Sequence, residues 1–360
     1  MRRHMKKIII AIDSLKGCLT STEANRAAAD GFALSMPEAE VVSIPVSDGG
    51  EGWLEAFKGV LGGEVVDVNV KDPMMRTIMA QYLVKDDTAV IEIAKASGLT
   101  LLTAEERNPM VATSYGTGQL VVDAVRRGCR HIIVGLGGSA TSDCGIGMLR
   151  AIIDAFARHG SWDDVRELSH VHFTIATDVT NPLCGEKGAA HVFAPQKGAT
   201  QEQVLALDAR ARRFAEVSSK HMGYDRQDMP GAGAAGGLGY AFLQYMNAEC
   251  RSGIDLLLDS VHFDTLLQDA SLVITGEGSA DCQTLMGKLP FGILQRAKKH
   301  HVPTWLIAGR ISDREALLDA GFERVECINP PDVPLDEAVK SETAKRHIRE
   351  LFRVGLNLTE

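Results

Sequence analysis

The chain has no apolar run near the ~20 residues a membrane helix requires, no surplus of positive charge, no block of like charge and no CxxC pair. Each absence excludes a class of protein. With 38 Lys and Arg against 47 Asp and Glu, the net charge of -9 offers no field for nucleic acid, so any phosphate binding must be local. The seven cysteines are scattered and odd in number, which points to reduced thiols rather than a disulfide framework. The apolar run Ile8 to Ile12 stops at Asp13, too short for a secretory signal, so a cytoplasmic location is expected, with no membrane partner. No HExxH or comparable metal spacing and no GxSxG elbow occur, and His170 and His172 read as structural or surface residues on one strand face. Internal repeats and low-complexity linkers are missing as well.

What the chain does have is glycine set among polar residues, several times directly after an apolar run. Six such loops recur: SDGGEG (47–52), TSYGTG (113–118), GLGGSATSD (135–143), PQKGA (195–199), PGAGAAGGLG (230–239) and TGEGSADCQTLMGK (275–288). Glycine lets a backbone approach an anion closely, and a helix that starts there aims N–H groups and its positive dipole end at the ligand. Several such loops, combined with carboxylates and lysines, suggest a site for a polyphosphate, a metal and a small acidic substrate.

The organisation reads as two α/β domains. KKIIIAI, a helix over 21–36, a strand over 40–46 and a helix over 52–61 give the rhythm of a parallel sheet. From Glu64 to Leu83 the residues alternate, as antiparallel strands do, so a different sheet begins there. A helix over 121–127, strands at HIIVGLGG and VHFTIATD, and a Thr200-capped helix over 201–220 follow. SLVITGEG, TWLIAGR and RVECINP, with helices over 292–300 and 314–320, restore the first rhythm. We therefore expect a discontinuous Rossmann-like parallel-sheet domain (1–72 plus 270–360) interrupted by a mixed α/β domain (73–269), with the active site in the cleft between them.

The motifs leave alternatives open. Gly135, Gly137 and Ala140 satisfy G-x-G-x-x-A after HIIV, the dinucleotide fingerprint, yet no acidic residue stands at a strand end about 20 positions on. The same backbone at Gly137 and Gly138, with the hydroxyls of Ser139, Thr141 and Ser142, suits ATP phosphates, or is a tight turn needing small residues. The run ending at Gly287-Lys288 is not a Walker A loop, but Glu277, Asp281 and Lys288 form a metal and phosphate set. Asp13, Lys16, Ser47, Asp48 and Glu51 follow strands and would point into a crevice, although Asp13 is also a candidate helix cap. Asp178 in ATDVTNPLCG follows a strand in the same manner and would accept a proton from a substrate hydroxyl, while Asn181-Pro182 reads equally as a turn.

In order, DSLKG, SDGGEG, EERNP, TSYGTG, GGSATSD, DVTNPLCG, PQKGA, GAGAAGG and GEGSADCQTLMGK resemble the motifs of the glycerate kinase type I family, from about Met5 almost to the end. That resemblance implies a two-domain α/β fold, ATP and Mg2+ as cofactors, and D-glycerate as the phosphorylated substrate, with 2-phosphoglycerate favoured over 3-phosphoglycerate. It implies binding roles for Asp13, Lys16, Asp48, Glu51, Asp178, Lys197, Glu277, Asp281 and Lys288. From that set we assign Asp178, Asp48, Lys16 and Lys288 to catalysis and Lys197 to ATP, and add Gly137, Gly138, Ser139, Thr141, Gly276 and Gly278 to the ATP group. Glu277 and Asp281 are assigned to the metal. Departures from the family pattern are Ile12 in place of proline, Ser142 and Cys144 in place of Asn and Gly, Ala280 in place of a bulkier residue, and a shorter stretch between Met148 and His172. The rival readings are a nicotinamide-dependent hydroxy-acid dehydrogenase and a non-catalytic small-acid-binding protein.

Overall fold

The computed structural model describes residues 7–47, 50 and 52–353, so the sequence assignments to Asp48 and Glu51 lie outside the described residues. Eleven strands are formed among the described residues. β1 (Lys7–Ile12) and β2 (Glu40–Ser43) come first, then β3 (Glu64–Lys71), β4 (Thr77–Lys85), β5 (Thr88–Glu92), β6 (His131–Gly135), β7 (His172–Ala176) and β8 (Glu249–Arg251). β9 (Ala270–Ala280), β10 (Thr304–Ile311) and β11 (Arg324–Cys327) complete the set. The chain divides into two compact units, one of residues 1–47, 55–61 and 254–360, the other of residues 48–54 and 62–253.

The first unit holds a five-stranded sheet in the order β11-β10-β9-β1-β2, every pair parallel. This is the doubly wound order 2-1-3-4-5 of flavodoxin-type sheets, a relative of the Rossmann arrangement. β1 lies inside the sheet, and all six of its residues are buried, which is why KIIIAI is apolar without alternation. The helix Ser21–Ser35 starts with a capping box in which Thr20 accepts from the Glu23 N–H and Glu23 accepts from the Thr20 N–H. Asp13 is therefore not its cap. Gly31 on that helix lets the helix Ser341–Arg353 approach: a Cβ there would meet the Arg349 carbonyl at 2.5 Å. Beside Gly31, Phe32 stacks on Phe352 at 4.6 Å.

The second unit holds a six-stranded sheet in the order β3-β4-β5-β6-β7-β8. β3, β4 and β5 pair antiparallel and β5 to β8 pair parallel, so the alternating and the continuous apolar patterns each occupy their own half of one sheet. The β3–β4 turn is tied by Asp72, which accepts from the Met74 and Arg76 N–H groups and pairs with the Arg76 guanidinium at 2.6 Å.

Several sequence boundaries differ from this arrangement. β3 was grouped with the first domain by the 72/73 boundary, but it pairs along its whole length with β4 in the second unit's sheet. Residues 254–269, grouped with the insert, fall in the first unit. The second strand ends at Ser43 rather than Val46, and His170 precedes β7 rather than sharing its face. TSYGTG is not a loop: the helix Tyr115–Arg126 begins six residues before the expected start and contains Gly116, Thr117 and Gly118. Those glycines serve helix packing, since a Cβ at Gly116 would meet the Lys71 carbonyl at 1.9 Å and one at Gly118 the Met148 carbonyl at 2.4 Å.

Candidate functional site

In the first unit the chain leaves β1 toward β2 on one side, whereas β9, β10 and β11 extend on the other. Ligands of doubly wound sheets bind beyond the strand C-termini at such a switch point. The Asp13 N–H, just past β1, donates to the Gly276 carbonyl of β9 at 2.9 Å, and the Asp13 carboxylate accepts from the Ser14 N–H at 2.7 Å. Lys16 is exposed on the same segment, and a Cβ placed on Gly278 would lie 4.0 Å from the Lys16 nitrogen. Asp13, Lys16 and Gly278 thus lie together at the C-terminal end of β1, beside β9.

The GEG stretch expected as a phosphate loop is instead the second half of β9, which runs through Ala280. Gly276 is required by the sheet itself, because a Cβ there would meet the Ile307 carbonyl of β10 at 2.4 Å. Gly276 is thus a residue of the sheet and not of a phosphate loop. Just past the glycines, one hydroxyl links two acidic residues: Thr284 accepts from the Asp281 backbone N–H at 3.1 Å and donates to the Glu277 carboxylate at 2.6 Å. Asp281 also caps the short turn Cys282–Met286 by accepting from the Gln283 N–H at 2.9 Å.

Lys288 stands 3.5 Å from Glu277 and 3.9 Å from Asp281. Burial nevertheless holds the Glu277 carboxyl above the usual glutamate range, the Thr284 hydrogen bond and Lys288 offsetting it only in part. No group of three or more His, Cys, Asp or Glu suited to a metal occurs among the described residues. Glu277 and Asp281, 3.5 and 3.9 Å from the Lys288 ammonium, are two neighbouring carboxylates, and one or two carboxylates are the usual protein share of a magnesium site completed by substrate phosphates and water. The incompletely compensated charge on Glu277 fits a cation there.

In the second unit GLGGSATSD leaves β6, but the next helix, Ile146–Phe156, starts only after Gly145. The glycine turn does not open a helix, so the dinucleotide fingerprint lacks the element that would receive a pyrophosphate. Residues 138–142 are held from several sides instead. Leu99 donates to the Gly138 carbonyl at 2.9 Å and Ala140 to the Ser97 carbonyl at 2.9 Å. Lys197, only 3% exposed, donates to the Ser139 hydroxyl at 2.8 Å and the Thr141 carbonyl at 2.6 Å. Burial lowers its pKa to about 7, opposed in part by the Asp143 carboxylate. The buried hydroxyls of Thr141 and Ser142 have no hydrogen-bond partner among the described residues.

Two residues that the sequence reading passed over complete this loop. Asp143 accepts from the N–H and hydroxyl of Ser114, both at 2.8 Å, and from the N–H groups of Gly145 and Gly147 at 3.1 and 3.0 Å. It ties the starts of two helices to the loop. Arg210 donates to the Ser142 carbonyl at 2.7 Å and to the Met110 carbonyl at 3.3 Å. The spacing of Arg210 within an Arg-rich helix carried no signal of this. PGAGAAGGLG packs against the same loop: Gly236 has φ +67°, and a Cβ there would stand 2.0 Å from the Thr141 carbonyl. Cys144 has φ +57°, in the left-handed region glycine favours. Asp178 is exposed just past β7 in this unit.

A switch-point cluster of carboxylates and lysine, and a glycine loop held by a buried lysine, define an α/β protein of the phosphate-handling class. Comparison with known proteins narrows this. The family model described as the glycerate kinase family matches residues 8–161 and 157–354, two segments that meet inside the 148–172 stretch. The chain is 41% identical to the glycerate kinase of Bacillus subtilis (strain 168), over 96% of each chain. It is 38% identical to the glycerate 2-kinase of Escherichia coli (strain K12), over 97% of this chain and 99% of that one. A crystal structure from Salmonella typhimurium LT2, named as a candidate glycerate kinase 2, superposes with a TM-score of 0.83 at 36% identity over 97% of each chain. The chain belongs to the glycerate kinase family, and is accordingly a kinase. No helix among the described residues is long and apolar enough to cross a membrane.

Proposed function

We propose that the chain transfers the γ-phosphoryl group of ATP to D-glycerate, with 2-phosphoglycerate as the product. The observation that carries this reading is the Glu277–Thr284–Asp281–Lys288 cluster at the switch point of the five-stranded sheet, in a chain with 41% identity to a protein named glycerate kinase. The choice of the 2-position follows the relative named glycerate 2-kinase.

Phosphoryl transfer asks a protein mainly for alignment and charge neutralisation. Backbone at Gly137 to Thr141, supported by Lys197, holds the ATP phosphates. Glu277 and Asp281 would hold Mg2+, which when bound neutralises phosphate charge. Lys16 and Lys288 are our candidates for neutralising the negative charge that develops on the transferred group. Asp178 or Asp48 orients the substrate hydroxyl and takes its proton. The hydroxy-acid dehydrogenase reading loses its main support, since no helix follows Gly135 and Gly137 directly.

The test is ADP release from magnesium-ATP with and without D-glycerate, followed by phosphorus NMR of the product. Glycerate-dependent release yielding 2-phosphoglycerate is expected. Folded protein that binds ATP but releases no ADP with glycerate would overturn the substrate, and a 3-phosphoglycerate product would overturn the regiochemistry. Asp178→Asn with wild-type turnover would remove Asp178 from the reaction.

A further inference from the structure

Three carbonyls of the 138–142 segment are tied back into the second unit: Gly138 by the Leu99 N–H, Thr141 by Lys197 and Ser142 by Arg210. No peptide bond of the described chain is cis. In a trans peptide the C=O and the following N–H point in opposite directions. Fixing those carbonyls therefore fixes the N–H groups of Ser139, Ser142 and Asp143 away from Leu99, Lys197 and Arg210. None of the three amides donates to a protein acceptor among the described residues. The neighbouring buried hydroxyls of Thr141 and Ser142 lack partners too. Amides on a glycine-rich turn that have no protein acceptor can bind an anion without bringing a positive charge of their own.

We infer that Arg210 is a positioning residue for a polyphosphate, acting by holding the Ser142 carbonyl so that the Asp143 N–H faces the anion. Its fork spans the Met110 and Ser142 carbonyls, which a lysine ammonium at the same place could not do with the same fixed geometry. The helix Gln201–Met222 that carries it is anchored on either side by buried Leu207 and Ala211, so the guanidinium has a rigid base. Lys197 does the same for the Thr141 carbonyl and the Ser142 N–H. Its two hydrogen bonds go to the loop, which makes it a clamp on the cradle rather than a direct phosphate ligand. This deepens the reading above, on which the loop takes the ATP phosphates.

The experiment is amide-resolved NMR of the full chain titrated with inorganic tripolyphosphate, in the wild type, Arg210→Ala and Arg210→Lys, alongside steady-state kinetics with ATP and glycerate. In the wild type the Ser139, Ser142 and Asp143 amides are expected to shift. Arg210→Ala should lose the Asp143 response and keep that of Ser139, whose carbonyl partner Leu99 is untouched. Its KM for ATP should rise about tenfold while the KM for glycerate holds, and added guanidinium ion should restore part of the loss. Arg210→Lys keeps the charge and much of the packing but not the fork; it should show the same pattern at smaller size, and serves if the alanine variant does not fold. An unchanged Asp143 response in both variants, or no response of any of the three amides in the wild type, overturns the inference. If the amides respond as expected but no ADP is released with glycerate, the clamp stands and the proposed reaction falls.

Discussion

Replacing Lys197 with methionine keeps most of the side chain's length and removes its charge, so stability becomes a meter of that charge. In the fold Lys197 has a pKa of about 7 against 10.5 for an ordinary lysine, so between those values the unfolded chain carries a proton that the folded one does not. Stability from this group is therefore full above pH 10.5, climbs as pH rises through the window and is lost as pH falls to about 7. At about 1.4 kcal/mol per pH unit, the wild type should gain about 4 kcal/mol relative to Lys197→Met between pH 7 and pH 10. The offset between the two proteins also contains the Ser139 and Thr141 hydrogen bonds that the variant loses, about 1–3 kcal/mol for each buried group left unpaired. That offset does not vary with pH, so the slope isolates the titration. Urea unfolding at several pH values, followed by labelling of Cys129 and Cys144, which are buried in the same unit, gives the slope directly. A stability difference constant within about 1 kcal/mol across that range would mean the folded lysine stays charged, and would refute the burial argument.

Other substitutions probe the remaining parts. Glu277→Gln should leave the metal-free protein at least as stable as the wild type at neutral pH: burial raises the Glu277 pKa in the fold, so its contribution is present at low pH and lost as pH rises, and an amide escapes that loss. The same variant should lose turnover with ATP; clear destabilisation in urea, or retained turnover, would contradict this account. Asp143→Asn places an amide against four donors and should cost about 3 kcal/mol, read as a lower urea midpoint. Gly236→Ala combines a left-handed φ with a Cβ 2.0 Å from the Thr141 carbonyl, and should destabilise by about 3 kcal/mol and raise the KM for ATP. Lys288→Ala should remain folded, since the lysine is 41% exposed, and lose turnover; unchanged kcat would take Lys288 out of the reaction.

Local chemistry was readable wherever one segment decides its own conformation. The buried run KIIIAI, the alternation of EVVDVNVK and the Thr200–Gln203 capping box of the helix Gln201–Met222 are each set by residues within a few positions of one another. The ordered motifs likewise led to the family, because Glu277, Asp281 and Lys288 lie within twelve residues and keep their chemistry together in any fold that holds that segment.

Glycine misled where its purpose lay in another segment. Gly116, Gly118 and Gly276 read as members of anion-binding loops, yet each removes a Cβ that would strike a carbonyl of Lys71, Met148 or Ile307, far away in sequence. The two tasks of glycine, positive φ and close approach, leave the same letter in the chain. Only tertiary structure tells them apart.

What the sequence determined by itself was the alternation of elements, the caps and the set of chemically able residues, since these depend on short-range sterics and hydrogen bonding. Tertiary structure alone decided that residues 254–269 fall in the first unit, that Lys197 is buried with a weakened hold on its proton, and that Arg210 grips Ser142 across 68 positions. Burial and long-range hydrogen bonds come into being when distant segments meet, and no local pattern encodes which segments those are.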